Sequence, residues 1–456
     1  MAPLTSQRKF YLLRMEEDEL QEYLDEKLEE VGIVDIADVE EIYPCTHLQE
    51  GIQLSKMNPS APDYNVVATI SIDPVRDNDA VDPSLVRRSW QRVVDRHPIL
   101  RTILVESVEY GRLSDQIVLS RWAADIREAE SLDECLGLLE FSEHQPAHRL
   151  ILVPGGKGSI LCRLEIDHTL TDGVSVAIIM RDLASAYVGE LPSRPPPRYS
   201  DYIAFLQDED QEAHLRYWIG LLSGAQPCLF PTTQSPLGGE ADNNQQLAVP
   251  VPNLRSSLLH AFCLKHNVTL FNIVQAAWAL VLRRHTGMDD VCFGYVTAGR
   301  DLPIRQAEDT MGPFINTLVC RAQMGSGGHS QSVSGLVRAM QGQFLESAEH
   351  QTTSLGNIYD ALEMKRCRLF NTAVMFRPLH LDVIGNDTVS LSLVGRKSYS
   401  EFDITASLER SDKVEISLHY SPQAISTEGI TTVASSLSQI LSMMPKSATL
   451  SKLTNL

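Results

Sequence analysis

The segment SILCRLEIDHTLTDGVSVAIIMRDLASAY, residues Ser159–Tyr187, decides how this chain is interpreted. Aliphatic and β-branched residues from Ile160 to Ile166 predict a buried strand, and apolar residues at helical spacing after Gly173 predict a helix. The short corner HTLTD between them places His168 at the exit of the strand and Asp172 at the N-cap of the helix. A histidine beside the free N–H groups of a new helix is suited to moving a proton near a polarised carbonyl.

The same corner also has a purely structural interpretation. The chain contains thirteen histidines, and a single histidine commonly packs in a core or lies on the surface. An aspartate at a helix start commonly acts only as a cap. The rest of the sequence therefore has to decide between the two.

Length and composition predict a globular protein of two or three domains without a membrane span. The chain has 456 residues, 43% of them hydrophobic and 21% charged, and no run of eighteen apolar residues. Its N-terminus lacks the apolar core of a signal peptide. Eight cysteines without a CxxC pair argue against structural zinc and disulfides. We therefore expect a cytoplasmic protein with no metal site.

The net charge of −20 is concentrated near the N-terminus, where residues 16–41 hold thirteen acids and one lysine. An acidic chain is a poor partner for nucleic acid.

A proline-dense segment predicts the division of the chain. The stretch LPSRPPPRY after Gly189 cannot form a regular helix or a central strand. We interpret residues 191–197 as a linker between two halves, 1–190 and 198–456, each an α/β arrangement of a mixed sheet with flanking helices. In the second half, the loop at about 226–246 lacks periodicity, which predicts mobility.

Six stretches in order carry a resemblance to a known family: YPCTHLQEGI (43–52), RHPILR (96–101), DHTLTDG (167–173), YSDYIAF (199–205), FGYVTAGRDLP (293–303) and MGPFINTLVCR (311–321). They resemble the sequence blocks of nonribosomal peptide synthetase condensation domains, members of the chloramphenicol-acetyltransferase-like superfamily. The resemblance implies two acetyltransferase-like lobes in a V-shaped pseudo-dimer. It also implies a central tunnel, entered by phosphopantetheine arms on carrier proteins.

The resemblance also implies roles for individual residues. His168 would be the general base or positioning group, and the helix N-terminal amides near Gly173 would stabilise the oxyanion. Asp172 would pair with an arginine to hold the loop that carries the histidine. Arg300 is the expected partner, ahead of Arg101.

The motif departs from the family pattern at Asp167, where peptide-bond-forming members carry histidine. Fungal terminal condensation-like domains carry serine there and a tyrosine fifteen residues after the aspartate, the position of Tyr187 in this chain. A tyrosine near a helix end also commonly packs for structural reasons. Asn316, in FINT, would point a polar group into the tunnel, although a strand asparagine is more often a turn or edge feature.

The leading functional prediction is a terminal condensation-like domain that releases a peptidyl thioester from a carrier by intramolecular amide formation. Asp167 and Tyr187 favour it, as does a chain that stops soon after its final helix. The expected partners are a peptidyl carrier protein and its thioester-bound peptide, with 4'-phosphopantetheine delivered on the carrier and no cofactor bound directly.

Three other functions remain open. They are ordinary condensation of two carrier-bound substrates, ester formation with a free acceptor, and a non-catalytic carrier-docking module. Plant-type acyltransferases also carry a DFGWG block, which is absent from this sequence, and a hydrolase is disfavoured because no GxSxG elbow occurs.

Overall fold

The chain forms two compact units that are not continuous in sequence. A computed structural model describes residues 9–57, 64–135, 140–231, 247–325, 332–364, 367–377, 383–397, 401–409, 413–450 and 453. The first unit comprises Met1–Glu209, Arg300–Phe314 and Leu381–Ser398, and the second comprises Asp210–Gly299, Ile315–His380 and Tyr399–Leu456.

Helices and strands occur in both units, as an α/β fold requires. The helices are α1 Glu17–Glu30, α2 His47–Lys56, α3 Pro83–Arg96, α4 Gly173–Tyr187, α5 Tyr199–Asp208, α6 Gln211–Leu222, α7 Ser256–His266, α8 Leu270–Thr286, α9 Val333–Ala348, α10 Leu355–Ala361 and α11 Thr427–Met443. The strands are β1 Val39–Pro44, β2 Asn65–Pro74, β3 Thr102–Glu106, β4 Ser114–Leu119, β5 Ile126–Glu128, β6 His148–Pro154, β7 Ile160–Asp167, β8 Leu247–Pro250, β9 Asp290–Thr297, β10 Asn316–Gln323, β11 Thr372–Arg377, β12 Ile384–Gly385, β13 Val389–Lys397, β14 Ile404–Glu409 and β15 Glu415–Tyr420.

The first unit contains two sheets. Its six-stranded sheet has the order β12-β13-β2-β7-β6-β5, and a smaller sheet has the order β1-β4-β3. Strand β7 lies inside the larger sheet, antiparallel to β2 and β6. Alternate residues of β7, such as Cys162 and Leu164, are buried in the same core as Trp90 of α3 and Ile179 of α4. The end of β7 is therefore fixed on both sides of the strand.

Local sequence explains where α3 and α4 begin. Asp82 accepts a hydrogen bond from the Ser84 amide, and Pro83 occupies the first turn of α3, where its missing N–H costs nothing. Asp172 caps α4 in the same way, by accepting from the Ser175 amide. Helix α4 starts where the sequence predicts, and α3 starts at the same kind of cap.

The second unit contains one six-stranded sheet, in the order β10-β9-β11-β14-β15-β8. Strand β11 runs parallel to both β9 and β14, while the other pairs are antiparallel. Residues 272–282 of helix α8 are buried, and the helix ends at Thr286, followed by the C-cap Gly287, whose φ of 74° is left-handed. Among the described residues, no helix is long and apolar enough to cross a membrane.

The boundaries of the two compact units differ from the predicted single division at residues 191–197. The described residues of that proline-rich segment and of α5 belong to the first unit, as do Arg300–Phe314 and β13. The two lobes with a linker at 191–197 stay a prediction. So do the V shape and the tunnel. Most of the loop expected to be mobile, residues 232–246, lies outside the described residues.

A buried carboxylate, Asp182, joins α3 to α4 in the first unit. Its Oδ2 atom lies 2.9 Å from His97 Nε2 and 3.0 Å from Arg96 Nε, and its Oδ1 atom accepts from Arg181 Nε at 2.9 Å. Burial alone would raise the pKa of Asp182. The hydrogen bonds and charges of His97 and Arg181 outweigh burial and lower that pKa to about 2.

We expect Asp182→Asn to lower the free energy of unfolding at pH 7 by about 2 kcal/mol. The folded-state pKa lies below the unfolded value of 3.8, so this stabilisation is present above about pH 4 and lost as the pH falls towards 2. Urea unfolding of the parent chain and the variant at pH 7 and at pH 3 measures the difference. An equal difference at both pH values contradicts the charge-based explanation.

Candidate active site

The loop after β7 is mostly buried, and His168 is more exposed than the loop residues on either side of it. Asp167, Thr169, Thr171 and Asp172 are all less than a tenth exposed, whereas His168 is half-buried. The amide of His168 donates to the carbonyl of Tyr64 at 3.1 Å, which fixes the backbone at this point. The histidine is therefore held at the strand exit, as the sequence predicts.

Asp167 is held by an ion pair and by two hydrogen bonds within the loop. Its Oδ2 atom contacts Nζ of Lys56 at the end of α2. Its Oδ1 atom accepts from the amide of Thr169 at 2.8 Å and from the hydroxyl of Thr169 at 2.7 Å. The carboxylate thus ties together the first half of the loop. Lys56 was not anticipated from the sequence, because α2 was not recognised as a helix.

Gln49 supports the loop from α2. Its side-chain amide donates to the carbonyl of Thr169 at 2.8 Å and to Oε1 of Gln116 at 2.9 Å, and the residue is fully buried. Its own carbonyl accepts from the Thr46 amide at 2.9 Å, in a capping box at the start of α2. Sequence analysis identified the block that contains Gln49 but assigned it no role; a capping box T-x-x-Q after Pro44 was the available signal.

Asp172 is the most heavily bonded residue of the loop. Both carboxylate oxygens accept from Nη2 of Arg300, at 2.9 and 2.8 Å. Oδ1 also accepts from the Ser175 amide at 2.8 Å, and Oδ2 from the Phe314 amide at 3.2 Å. The carboxylate is therefore saturated, and the predicted pairing of Asp172 with Arg300 is present in the structure.

Arg300 is itself held by backbone groups. Its Nη1 donates to the carbonyls of Ala307 and Thr310, both at 2.6 Å, and its Nη2 donates to that of Gly312 at 3.2 Å. Its guanidinium carbon lies 4.4 Å from the centre of the Phe314 ring. The segment from Arg300 to Phe314 thus wraps around a single guanidinium group.

Two of the recognised sequence blocks pack together on this segment. Tyr199 donates its hydroxyl to the carbonyl of Pro313 at 2.9 Å, and Tyr202 stacks on Phe314 with ring centres 4.4 Å apart. Gly312 has a φ of 139°, and a Cβ there would lie 2.3 Å from Cδ2 of Tyr199. Glycine is required at this position, because any side chain would collide with the tyrosine ring.

The surroundings of His168 favour the neutral imidazole. Burial has the largest effect and lowers the pKa of His168 below its ordinary value of 6.5. The positive charge of Arg396 on β13 lowers this pKa further, while loop backbone groups and Asp172 oppose the shift. The Nδ1 atom is buried, and no described residue hydrogen-bonds to it. A neutral histidine near pH 7 is able to accept a proton.

Tyr187 does not join His168. It lies at the other end of α4, about 21 Å along a helix of this length. Its hydroxyl accepts from the Asp82 amide at 3.0 Å, and its ring is buried in the core of the first unit. The packing interpretation of Tyr187 describes these surroundings, and its functional role stays a prediction.

Asn316 and Arg101 likewise have structural partners. The side-chain amide of Asn316 donates to the carbonyls of Gln351 at 2.7 Å and Thr353 at 2.8 Å, all within the second unit. Both of its N–H groups are thus used in holding that loop. Arg101 pairs with Glu40 at 3.0 Å and not with Asp172.

The family model for condensation domains matches residues 39–453. The FR901469 synthetase of Dothideomycetidae sp. (strain 11243) is 35% identical over 438 residues, and the nonribosomal peptide synthetase atnA of Emericella nidulans is 34% identical over 438 residues. These matches cover 93% and 95% of this chain, but only 3% and 6% of the two relatives.

Solved structures show the same fold. The condensation domain from the Monacolin K polyketide synthase MokA superposes with a TM-score of 0.73 at 16% identity, covering 90% of this chain and 98% of that one. The X-domain from teicoplanin biosynthesis gives a TM-score of 0.73 at 18% identity, covering 88% and 95%.

We expect Asp172→Asn to destabilise the first unit by about 3 kcal/mol, because it leaves the Arg300 charge buried without its counter-ion. Asp309→Asn is the matched control, because it also breaks an aspartate–arginine pair. Asp309 pairs with Arg181, and the side chains of both residues are more than a third exposed. The control should change stability by less than about 1 kcal/mol. Denaturant unfolding compares the two variants. Equal effects would show that the buried pair has no special role.

Proposed function

The chain belongs to the condensation-domain family, and from that premise we propose that it forms an amide bond on a carrier-bound peptidyl thioester, with His168 as general base. The observation that carries the proposal is the environment of His168. His168 is half-buried in a loop whose other residues, from Asp167 to Asp172, are buried, and its lowered pKa favours the neutral imidazole near pH 7. The buried pair of Asp172 and Arg300 holds that loop, so neither residue is required to move a proton.

The reaction proceeds in two balanced steps. A neutral amine attacks the thioester carbonyl carbon, a C–N bond forms, and the carbonyl electron pair moves to oxygen while His168 takes the amine proton. The tetrahedral oxyanion then reforms the carbonyl, and the C–S bond breaks. The phosphopantetheine thiolate leaves and takes the proton from the imidazolium. The phosphopantetheine arm belongs to the substrate.

We assign the amine to the same peptide, which makes the reaction a cyclising release. Asp167 supports this assignment, because the family members that join two carrier-bound substrates carry histidine at that position. The register of Tyr187 with the tyrosine of fungal terminal condensation-like domains also supports it, and in this chain the hydroxyl accepts from the Asp82 amide at the start of α3. The cytoplasmic location that the sequence predicts also stays a prediction.

The competing function is ordinary condensation with a second carrier-bound amine. The observation that favours it is the match of the general condensation-domain model over residues 39–453. Incubation with a peptidyl carrier, with and without a second aminoacyl carrier, separates the two. A cyclic product formed with the first carrier alone supports the proposal, while a linear product attached to the second carrier supports condensation.

We expect turnover to depend on the carrier. A peptidyl thioester on phosphopantetheinylated carrier protein should be used at a much lower concentration than the same peptide on free pantetheine, because docking to the chain lowers the effective KM. Initial rates over a concentration series measure both substrates. Equal turnover of the free peptide acid with ATP would contradict thioester chemistry altogether.

Removing the imidazole tests the base directly. His168→Ala should lower kcat for cyclic product on the order of 10²–10⁴-fold, the usual contribution of a general base, with thermal stability retained.

In the parent chain the rate should fall on acidification only below about pH 6.5, because the pKa of His168 is lowered and the neutral form persists to more acidic pH.

His47→Ala is the matched control, since its side chain is 58% exposed at the start of α2. Cyclic and hydrolysed products are separated by liquid chromatography and mass spectrometry. Cyclisation by His168→Ala at the parent rate would leave a carrier-docking role without catalysis.

A further inference from the structure

Helix α1 lies outside the part of the chain that matches the family model, because that match begins at residue 39. The helix is nevertheless fixed to the first unit. Tyr23 and Leu24 are buried in the same core as Ile42 of the small sheet. The Tyr23 hydroxyl also donates to Oδ2 of Asp115 at 3.1 Å. The condensation-domain motifs therefore do not account for this ordered helix or for the surface that it presents.

The C-terminal end of α1 forms an open groove of about 450 Å³. Gly32 has a left-handed φ of 71°, and the Ile33 amide donates back to the carbonyl of Leu28 at 2.8 Å. This turn places Ile33 and Val34 beside the helix. Apolar side chains and two carboxylates line the groove, from Leu24, Leu28, Ile33, Val34, Asp25 and Glu29.

Much of the apolar lining faces solvent. The side chain of Val34 is fully exposed, and Leu28 and Ile33 are only half-buried. Single exposed apolar residues are ordinary, but a contiguous apolar surface with a polar rim is typical of an interaction site. Covering these three side chains with an apolar partner would remove their surface from water, which is favourable.

The rim of the groove is negatively charged. Asp25 and Glu29 are exposed, and in the described part of the chain no cation pairs with either carboxylate. The only lysine of this acidic segment, Lys27, is buried and pairs with Glu26 and Glu30 of its own helix. The charge of Lys27 is therefore used within α1, and the negative charge of the rim is not compensated by it.

The two rim carboxylates lie where they destabilise α1. The C-terminal end of a helix carries a partial negative charge, so acidic side chains there are unfavourable. Asp25 and Glu29 are also separated by four positions, at which like charges repel each other. A cationic group in the groove would relieve both effects. A basic partner with an apolar face thus matches this surface, whereas nucleic acid or an anionic membrane would be repelled.

The structure of the groove also favours one conformation of the partner. Its described lining residues belong to a helix and a turn and offer no strand edge. An extended peptide would therefore leave backbone groups unpaired in the groove, whereas a helix pairs its own.

We propose that this groove binds a basic amphipathic helix of a partner polypeptide. Apolar side chains on one face of the partner helix contact Leu28, Ile33 and Val34, and the lysines or arginines beside them pair with Asp25 and Glu29. The proposal concerns a docking surface and does not depend on the condensation reaction.

Binding of a synthetic peptide to the whole chain tests the proposal. The probe is a fluorescein-labelled peptide of leucine and lysine, about 18 residues or five helical turns long, with its leucines on one helical face. Fluorescence anisotropy measures its Kd. We expect saturable binding that weakens as salt increases. A peptide of the same composition in scrambled order, and one with glutamate in place of lysine, should bind much more weakly.

Charge reversal at the rim gives the first pair of variants. Asp25→Lys/Glu29→Lys should weaken binding of the basic peptide roughly tenfold, because two attractions become repulsions. Asp18→Lys/Glu22→Lys is the matched control, since it makes the same charge change at the same spacing on α1 but lies outside the groove. The control should change the Kd by no more than about twofold.

A valine substitution tests the apolar contact separately. Val34→Ser should weaken binding roughly fivefold, because an apolar side chain at the groove is lost. Val75→Ser, which changes a half-exposed valine elsewhere in the first unit, should leave the Kd unchanged. Val34 is fully exposed, so Val34→Ser should keep the parent melting temperature and tests the groove even if the charge-reversed chain does not fold.

Three results would overturn the proposal. The first is a parent chain that does not bind the basic peptide or binds the scrambled peptide equally well. The second is an equal loss of binding in the rim variant and its control, which would show attraction to the net charge of −20 rather than to the groove. The third is binding to phosphatidylglycerol vesicles in the absence of peptide binding, which would identify a membrane as the partner.

Discussion

The buried ion pair of Asp172 and Arg300 is the interaction on which the first unit depends. A carboxylate with no solvent exposure is costly unless it is paired and fully hydrogen-bonded, and Asp172 meets both conditions. The cation it needs lies 128 residues further along the chain. This requirement explains why Arg300–Phe314 belongs to the first unit, although the residues before and after it in the sequence belong to the second unit. One charge pair therefore determines part of the chain topology.

The same pair explains why several sequence blocks behave as one structural group. Arg300 orders three carbonyls and stacks on Phe314, and the two tyrosines of α5 then pack on that ring. Gly312 gives the space that Tyr199 occupies. These residues lie far from His168 in sequence and do not touch substrate in the proposed reaction. Their shared effect is to fix the loop that carries His168.

Local sequence predicted the parts of this site that depend on local chemistry. The start of α3 is explained by the cap Asp82 and the proline after it, and the start of α4 by the cap Asp172 and the glycine after it. The pairing of Asp172 with Arg300 was expected from the family motif. The contact of Lys56 with Asp167 was missed because it needs the position of α2, a helix that Pro44 concealed. The pairing of strand β13 with β2 joins residues more than 300 apart. Periodicity predicts that a segment is a strand and contains no information about its neighbour.

The two arginines near the start of α4 differ in what surrounds them. Arg300 is buried, and its charge is used by Asp172 and by backbone carbonyls. Arg396 is exposed, and its Nη1 and Nη2 atoms lie 3.7 Å from the point that a Cβ on Gly173 would occupy. This difference in burial explains why Arg300 is a fixed part of the support of the loop, because a buried charge must keep its counter-ion.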